Sequence, residues 1–158
     1  MTGSSELVVA AFAAAVGSHL VDTPRSARFD AFRRTFDEHA YLAGLASAGI
    51  RWVARSSADF PPRLRAVHDP PPGLFVRGTG SLALLAAPSA AIVGARACSA
   101  YGTEVATLLG RELAAAGVVV VSGLARGVDA AAHRGALAAR PGSTIAVLGC
   151  GVDRDYPR

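Results

Sequence analysis

Residues 90–151 alternate between short apolar runs and stretches of helix length, and this alternation limits the chain to very few folds. The runs are Ala90–Val93, Val118–Val121 and Thr144–Leu148, the middle one being four consecutive valines. Runs this apolar are buried on both faces, the condition of a parallel sheet covered by helices. Between the first two, a helix is predicted from about Ser99 to Ala116, with an apolar face of Val105, Leu108, Leu109 and Leu113 and a stop at Gly117. A second helix, Asp129 to Ala139, is closed by Pro141-Gly142. Parallel crossovers are right-handed almost without exception, so a βαβαβ unit is expected.

Upstream, residues 5–17 have helical composition and lead to Gly17 and a turn-like Asp22-Thr23-Pro24. A second helix is expected from Ala27 to Phe36, where Phe29, Phe32 and Phe36 recur at helical spacing and read as core. A third, Glu38 to Ala48, ends at Gly49, and Ile50–Ala54 alternates like a strand. The prolines of residues 58–73 rule out a long helix and predict an extended connection. Leu74–Val76 reads as a brief strand, and Ser81–Ala87 as a short helix or turn. The expected fold class is α/β, an incomplete Rossmann-like parallel sheet (βαβαβ) preceded by a small helical region, with the division near residues 38–39.

With 51% hydrophobic and 18% charged residues, the 158-residue chain can bury a core. No apolar run reaches membrane-span length. No basic residue precedes Leu7–Val16, which reads as a helix rather than a secretion signal, so a cytoplasmic location is expected. Cys98 and Cys150 form no CxxC pair and the four histidines are scattered, so no metal site is expected; a disulfide would be unusual in a reducing compartment. All sixteen basic residues are arginine, which a GC-rich codon bias explains as well as function does. Residues 1–50 carry four arginines against five acids, and residues 51–158 twelve against seven, so positive charge gathers in the later segment.

Each apolar run ends in small residues: Gly94-Ala95-Arg96, Ser122-Gly123 and Gly149-Cys150-Gly151. In a parallel sheet these loops meet at the carboxyl edge, where open α/β sheets bind ligands. Glycine-bearing loops that open onto helix starts offer backbone N–H groups and positive dipole ends to an anion. Gly94, Gly123 and Gly149 are candidates for that role, with hydroxyls from Ser99 and Ser122. Arg96 adds a permanently charged, bidentate phosphate contact. The plainer alternative is that the glycines only permit tight turns. A dinucleotide cofactor is not expected, because the first loop is not GxGxxG and Ser122 stands where an acid would meet the ribose. A P-loop needs a lysine, and there is none.

Four segments in register resemble the DprA/Smf family. They are the lead-in Phe60-Pro61, Leu64, Asp69-Pro70-Pro71 and Leu74–Gly78, then Ile92–Arg96 with Ser99–Gly102, then Val121–Asp129 with Ala132–Leu137, and last Thr144–Asp153 with Tyr156-Pro157. The likeness covers roughly residues 38–158. It implies a non-catalytic protein that binds single-stranded DNA in natural transformation, protects it and helps load RecA recombinase. By position it places Arg96, Ser122, Gly123, Arg126 and Gly127 in the DNA pocket, with Tyr101 and Gly102 in support. Asp129, at a helix N-terminus, and His133, with no partner carboxylate or nucleophile in the motif, read as structural.

Two departures stand out. Ala95 replaces the family's usual serine, and the sequence ends at Arg158, whereas family members continue with further strands, basic residues and a dimer surface. The family-type homodimer is therefore not expected of this stretch. Two crossovers in one direction would place both helices on one sheet face, so marginal stability is expected unless residues 1–89 cover the other. Tyr101 is the only aromatic near the loops, so base stacking is expected to be minor. Two other readings compete: a nucleotide phosphoribohydrolase of the lysine-decarboxylase-like family, whose PGGxGT motif is missing here, and a non-functional remnant.

Overall fold

A computed structural model describes residues 3–17 and 23–154. Asp22 of the expected turn and the Tyr156-Pro157 motif lie outside the described residues. The chain divides into two compact units, Met1–Ala86 and Ala87–Arg158. The division expected near residues 38–39 falls inside the first of them.

In the first unit, α1 (Gly3–Val16), α2 (Ala27–Thr35) and α3 (Glu38–Ser47) precede β1 (Ile50–Ala54), a one-turn α4 (Pro62–Arg65) and β2 (Gly73–Arg77). The starts of α2 and α3 have a local cause. Ser26 accepts the Phe29 amide at 3.2 Å, and Asp37 accepts that of Ala40 at 2.9 Å, which satisfies amides that have no partner within the helix. Phe29 is buried with Val8, Val9 and Phe12, and Phe32 and Phe36 pack against them. The Phe12 and Phe29 rings meet edge to face at 5.2 Å. Strands β1 and β2 pair antiparallel, Ile50 opposite Arg77 and Ala54 opposite Gly73. The proline-rich connection is not wholly extended, since Pro62 opens the α4 turn, where its missing N–H costs nothing.

The second unit is β3 (Ser89–Ala91), α5 (Ala100–Ala115), β4 (Val119–Ser122), α6 (Val128–Ala138) and β5 (Thr144–Ala146). The strands are parallel in the order β3-β4-β5. The first and third strands are shorter than expected. Val93 lies beyond β3 with 71% of its surface exposed, and Val147 beyond β5 is also exposed. Val120 is buried with Ala114, Ala132, Ala136 and Ala139, backed by Ile92 and Leu113.

The predicted apolar face of α5 is corrected. Leu108 and Leu109 are exposed, and the buried positions are Ala106, Gly110 and Ala114. The reason is backbone proximity. A Cβ at Gly110 would strike the Ala132 carbonyl, and one at Gly135 the Thr107 carbonyl, so α5 and α6 meet through their smallest residues and larger ones are turned outward.

Candidate nucleic-acid interface

Because β3, β4 and β5 run parallel, the loops that follow them share one edge. They enclose a cleft of about 510 Å³. The first loop contributes Val93, Gly94 and Arg96, the second Gly123 and Ala125, the third Val147, Gly149 and Cys150, and α6 contributes Asp129. Arg96, Gly123 and Gly149, proposed from sequence as neighbours, thus line one cavity. Among the described residues no ion pair or hydrogen bond holds the Arg96 guanidinium, and the residue is exposed.

Asp129 joins the loops. One carboxylate oxygen accepts the Gly94 amide at 3.2 Å; the other accepts Gly123 at 3.1 Å and Ala125 at 3.4 Å. Only 5% of the residue's surface is exposed. Two of the amides expected to meet a phosphate are therefore already engaged by the protein's own anion. Ser122 is likewise turned inward, its hydroxyl donating to the Ile92 carbonyl at 2.6 Å across the sheet. Ser99 caps α5 by accepting the Gly102 amide at 3.1 Å, which gives Gly102 and Ser99 one shared structural role. Gly127 is also a fitting residue. Its φ is +84°, and a Cβ there would run into the carbonyls of Ala95 and Arg96. Arg126 and Tyr101 are exposed and lie outside the cleft lining.

His133 Nδ1 lies 2.7 Å from the Thr144 hydroxyl, which in turn donates to the Val120 carbonyl at 2.7 Å. With that proton committed, the hydrogen between His133 and Thr144 sits on Nδ1, and buried Nε2 is left as an acceptor with no partner among the described residues. Burial holds this imidazole below its ordinary pKa, against a smaller upward pull from Asp129. Both residues hydrogen-bond between elements, Asp129 to the first and second loops and His133 to β5.

Sequence reasoning missed Val93, Ala125, Val147 and Cys150 as lining. The two valines were read as strand interior, and the place where the ladder stops is not written in an apolar run. It also missed buried Glu6, which accepts the Ser56 amide at 3.1 Å and hydroxyl at 2.7 Å and lies 3.8 Å from Arg55. A cavity of about 600 Å³ borders these groups and Arg65 in the first unit. Its arginines are spent on carbonyls, Arg55 on Pro70 and Arg65 on Arg55 and Ser57. Both cysteines are free. Among the described residues no cluster of three or more metal-ligating side chains occurs, and no helix is long and apolar enough to cross a membrane.

The family model of DNA recombination-mediator protein A matches residues 51–158. The DNA processing protein DprA of Bacillus subtilis is 38% identical over 117 residues, which are 74% of this chain and 39% of that protein. Protein Smf of Escherichia coli is 40% identical over 131 residues, 83% of this chain and 34% of its own length. The chain thus spans between a third and two fifths of these relatives. Among solved structures, DprA of Streptococcus pneumoniae superposes with a TM-score of 0.69 at 33% identity, covering 99% of this chain and 56% of that one. DNA processing protein A of Helicobacter pylori, described for its single-stranded DNA binding mode, gives 0.57 at 33% identity over 70% of this chain and 48% of its own. With a family model matched over two thirds of its length, and the parallel sheet and glycine loops in place, the chain belongs to the DprA/Smf family of DNA recombination-mediator proteins.

Proposed function

We propose that this chain binds single-stranded DNA at the carboxyl edge of its parallel sheet, as part of DNA processing in transformation, and catalyses no reaction there. The observation that carries this reading is the Arg96 guanidinium, exposed in a cleft built by three glycine-bearing loops and unpaired among the described residues. A guanidinium without a carboxylate partner is a ready phosphate contact. The relative from Helicobacter pylori, described for its single-stranded DNA binding mode, supports the choice of ligand. The carboxylate in the cleft carries three amide hydrogen bonds, which suits a structural brace better than a general base. Delivery of the strand to a RecA-type recombinase in the cytoplasm belongs to the same proposal and is supported by the family's description as a recombination mediator.

Titration of a labelled oligothymidylate across a salt series tests it. Replacing Arg96→Ala is expected to weaken binding to all sequences alike and to lower the log–log salt slope by about 0.7, the value for one phosphate contact on a single strand. Unchanged affinity and slope at moderate salt would remove Arg96, and with it this cleft, from the binding surface.

A further inference from the structure

The cleft proposed to hold a phosphate already contains an anion. Amides that would cradle phosphate oxygens at this edge, those of Gly94, Gly123 and Ala125, all donate to Asp129. Its carboxylate is nearly solvent-free, so its field on the cleft is screened little by salt. Among the described residues that line the cleft, the opposing charge is the guanidinium of Arg96. The lips, Val93 and Val147, are apolar and exposed.

We infer that Asp129 is a specificity-determining residue, which makes the cleft select internal phosphodiesters of a strand over terminal phosphomonoesters and free nucleotides. This selectivity rests on the strand-binding reading above. A phosphodiester carries one negative charge, which Arg96 matches. A phosphomonoester carries between about 1.5 and 2 at neutral pH. Repulsion from the carboxylate and attraction to Arg96 both grow with the ligand's charge, but Asp129 is buried and screened little whereas exposed Arg96 is screened by solvent, so the monoester gains more repulsion than attraction. It also finds no open cradle of amides with which to offset it. An internal phosphate brings a sugar and base on each side to cover both valines, whereas a free nucleotide brings only one.

Competition by fluorescence anisotropy with the 158-residue chain decides the matter. Oligothymidylates with 5′-hydroxyl and 5′-phosphate ends are expected to displace a labelled strand equally, while AMP and inorganic phosphate displace it poorly. In Asp129→Asn the charge is gone and at least one amide is released. Affinity for AMP and phosphate should rise about tenfold over the unsubstituted chain. AMP that competes as well as an oligonucleotide on the unsubstituted chain overturns the inference, as does a folded variant with unchanged AMP binding. If the variant does not fold, amide resonances of the unsubstituted chain under phosphate titration decide instead. Gly94 and Gly123 should stay unshifted, and movement of either amide refutes the assignment. Should no oligonucleotide bind at all, the strand-binding reading fails, yet direct phosphate titration of the two proteins still measures what Asp129 does.

Discussion

The Ser122 hydroxyl and the Asp129 carboxylate both direct their hydrogen-bonding capacity into the protein's own backbone. Hydrogen bonds to a charged group contribute about 1.5–3 kcal/mol each, so Asp129 holds the first and second loops at fixed separation. His133 is a buried polar residue of another kind, with one ring nitrogen bonded and the other without a partner among the described residues. Its pKa is lowered by burial, so above pH 6.5 the imidazole is neutral in both folded and unfolded chains and stability is unaffected. As pH falls through the unfolded value of 6.5, the unfolded chain takes up a proton that the folded one refuses. Stability is expected to drop until the folded value is passed and then to level off. Urea unfolding across this range should show the fall, and His133→Leu should remove that part of it. A profile equally steep in the variant would assign the effect to other groups.

Helices α5 and α6 meet where Gly110 faces Ala132 and Gly135 faces Thr107. Alanine is the better helix former by about 1 kcal/mol, which alone would make Gly135→Ala stabilising. The added Cβ, however, meets the backbone of Thr107 and Arg111, which cannot swing aside. Overpacking costs about 1–3 kcal/mol, and a backbone obstacle places it at the upper end, for a net loss of about 2 kcal/mol. A lowered urea midpoint with unchanged slope would register this, while a raised midpoint would mean that the helices part easily. The element itself was legible, from a start near Ser99 to the stop at Gly117; that Ser99 caps it was not, since its hydroxyl was assigned to phosphate. The buried face of α5 was not legible either, because apolar size was taken as the guide and the closeness of the neighbouring backbone decided otherwise.

For the molecule as a whole, the charge asymmetry read at residue 50 disappears at the boundary between units. Residues 1–86 carry nine arginines against seven acids, and residues 87–158 carry seven against five, so each unit is +2. Net charge thus does not favour the unit that holds the cleft, and a local arrangement must. Arg63, on α4 in the first unit, is exposed and serves as the control. Arg63→Ala removes the same formal charge as Arg96→Ala, yet should change oligonucleotide affinity less than about twofold at physiological salt. Equal losses from the two variants would mean diffuse attraction rather than a site.

The order of strands and helices from residue 90 onward, the sheet edge where glycine loops gather, and membership of the DprA/Smf family were all readable from the residues alone. Periodicity, caps and turn residues act within a few positions of one another, so a linear sequence displays them. Tertiary structure decided which groups at that edge stay open. Asp129 reaches Gly94 across 35 positions, Ser122 reaches Ile92 across 30, and Glu6 reaches Ser56 across 50. A hydrogen-bonding group is available to a ligand only if nothing inside the fold claims it first, and those claims come from residues that only folding brings near.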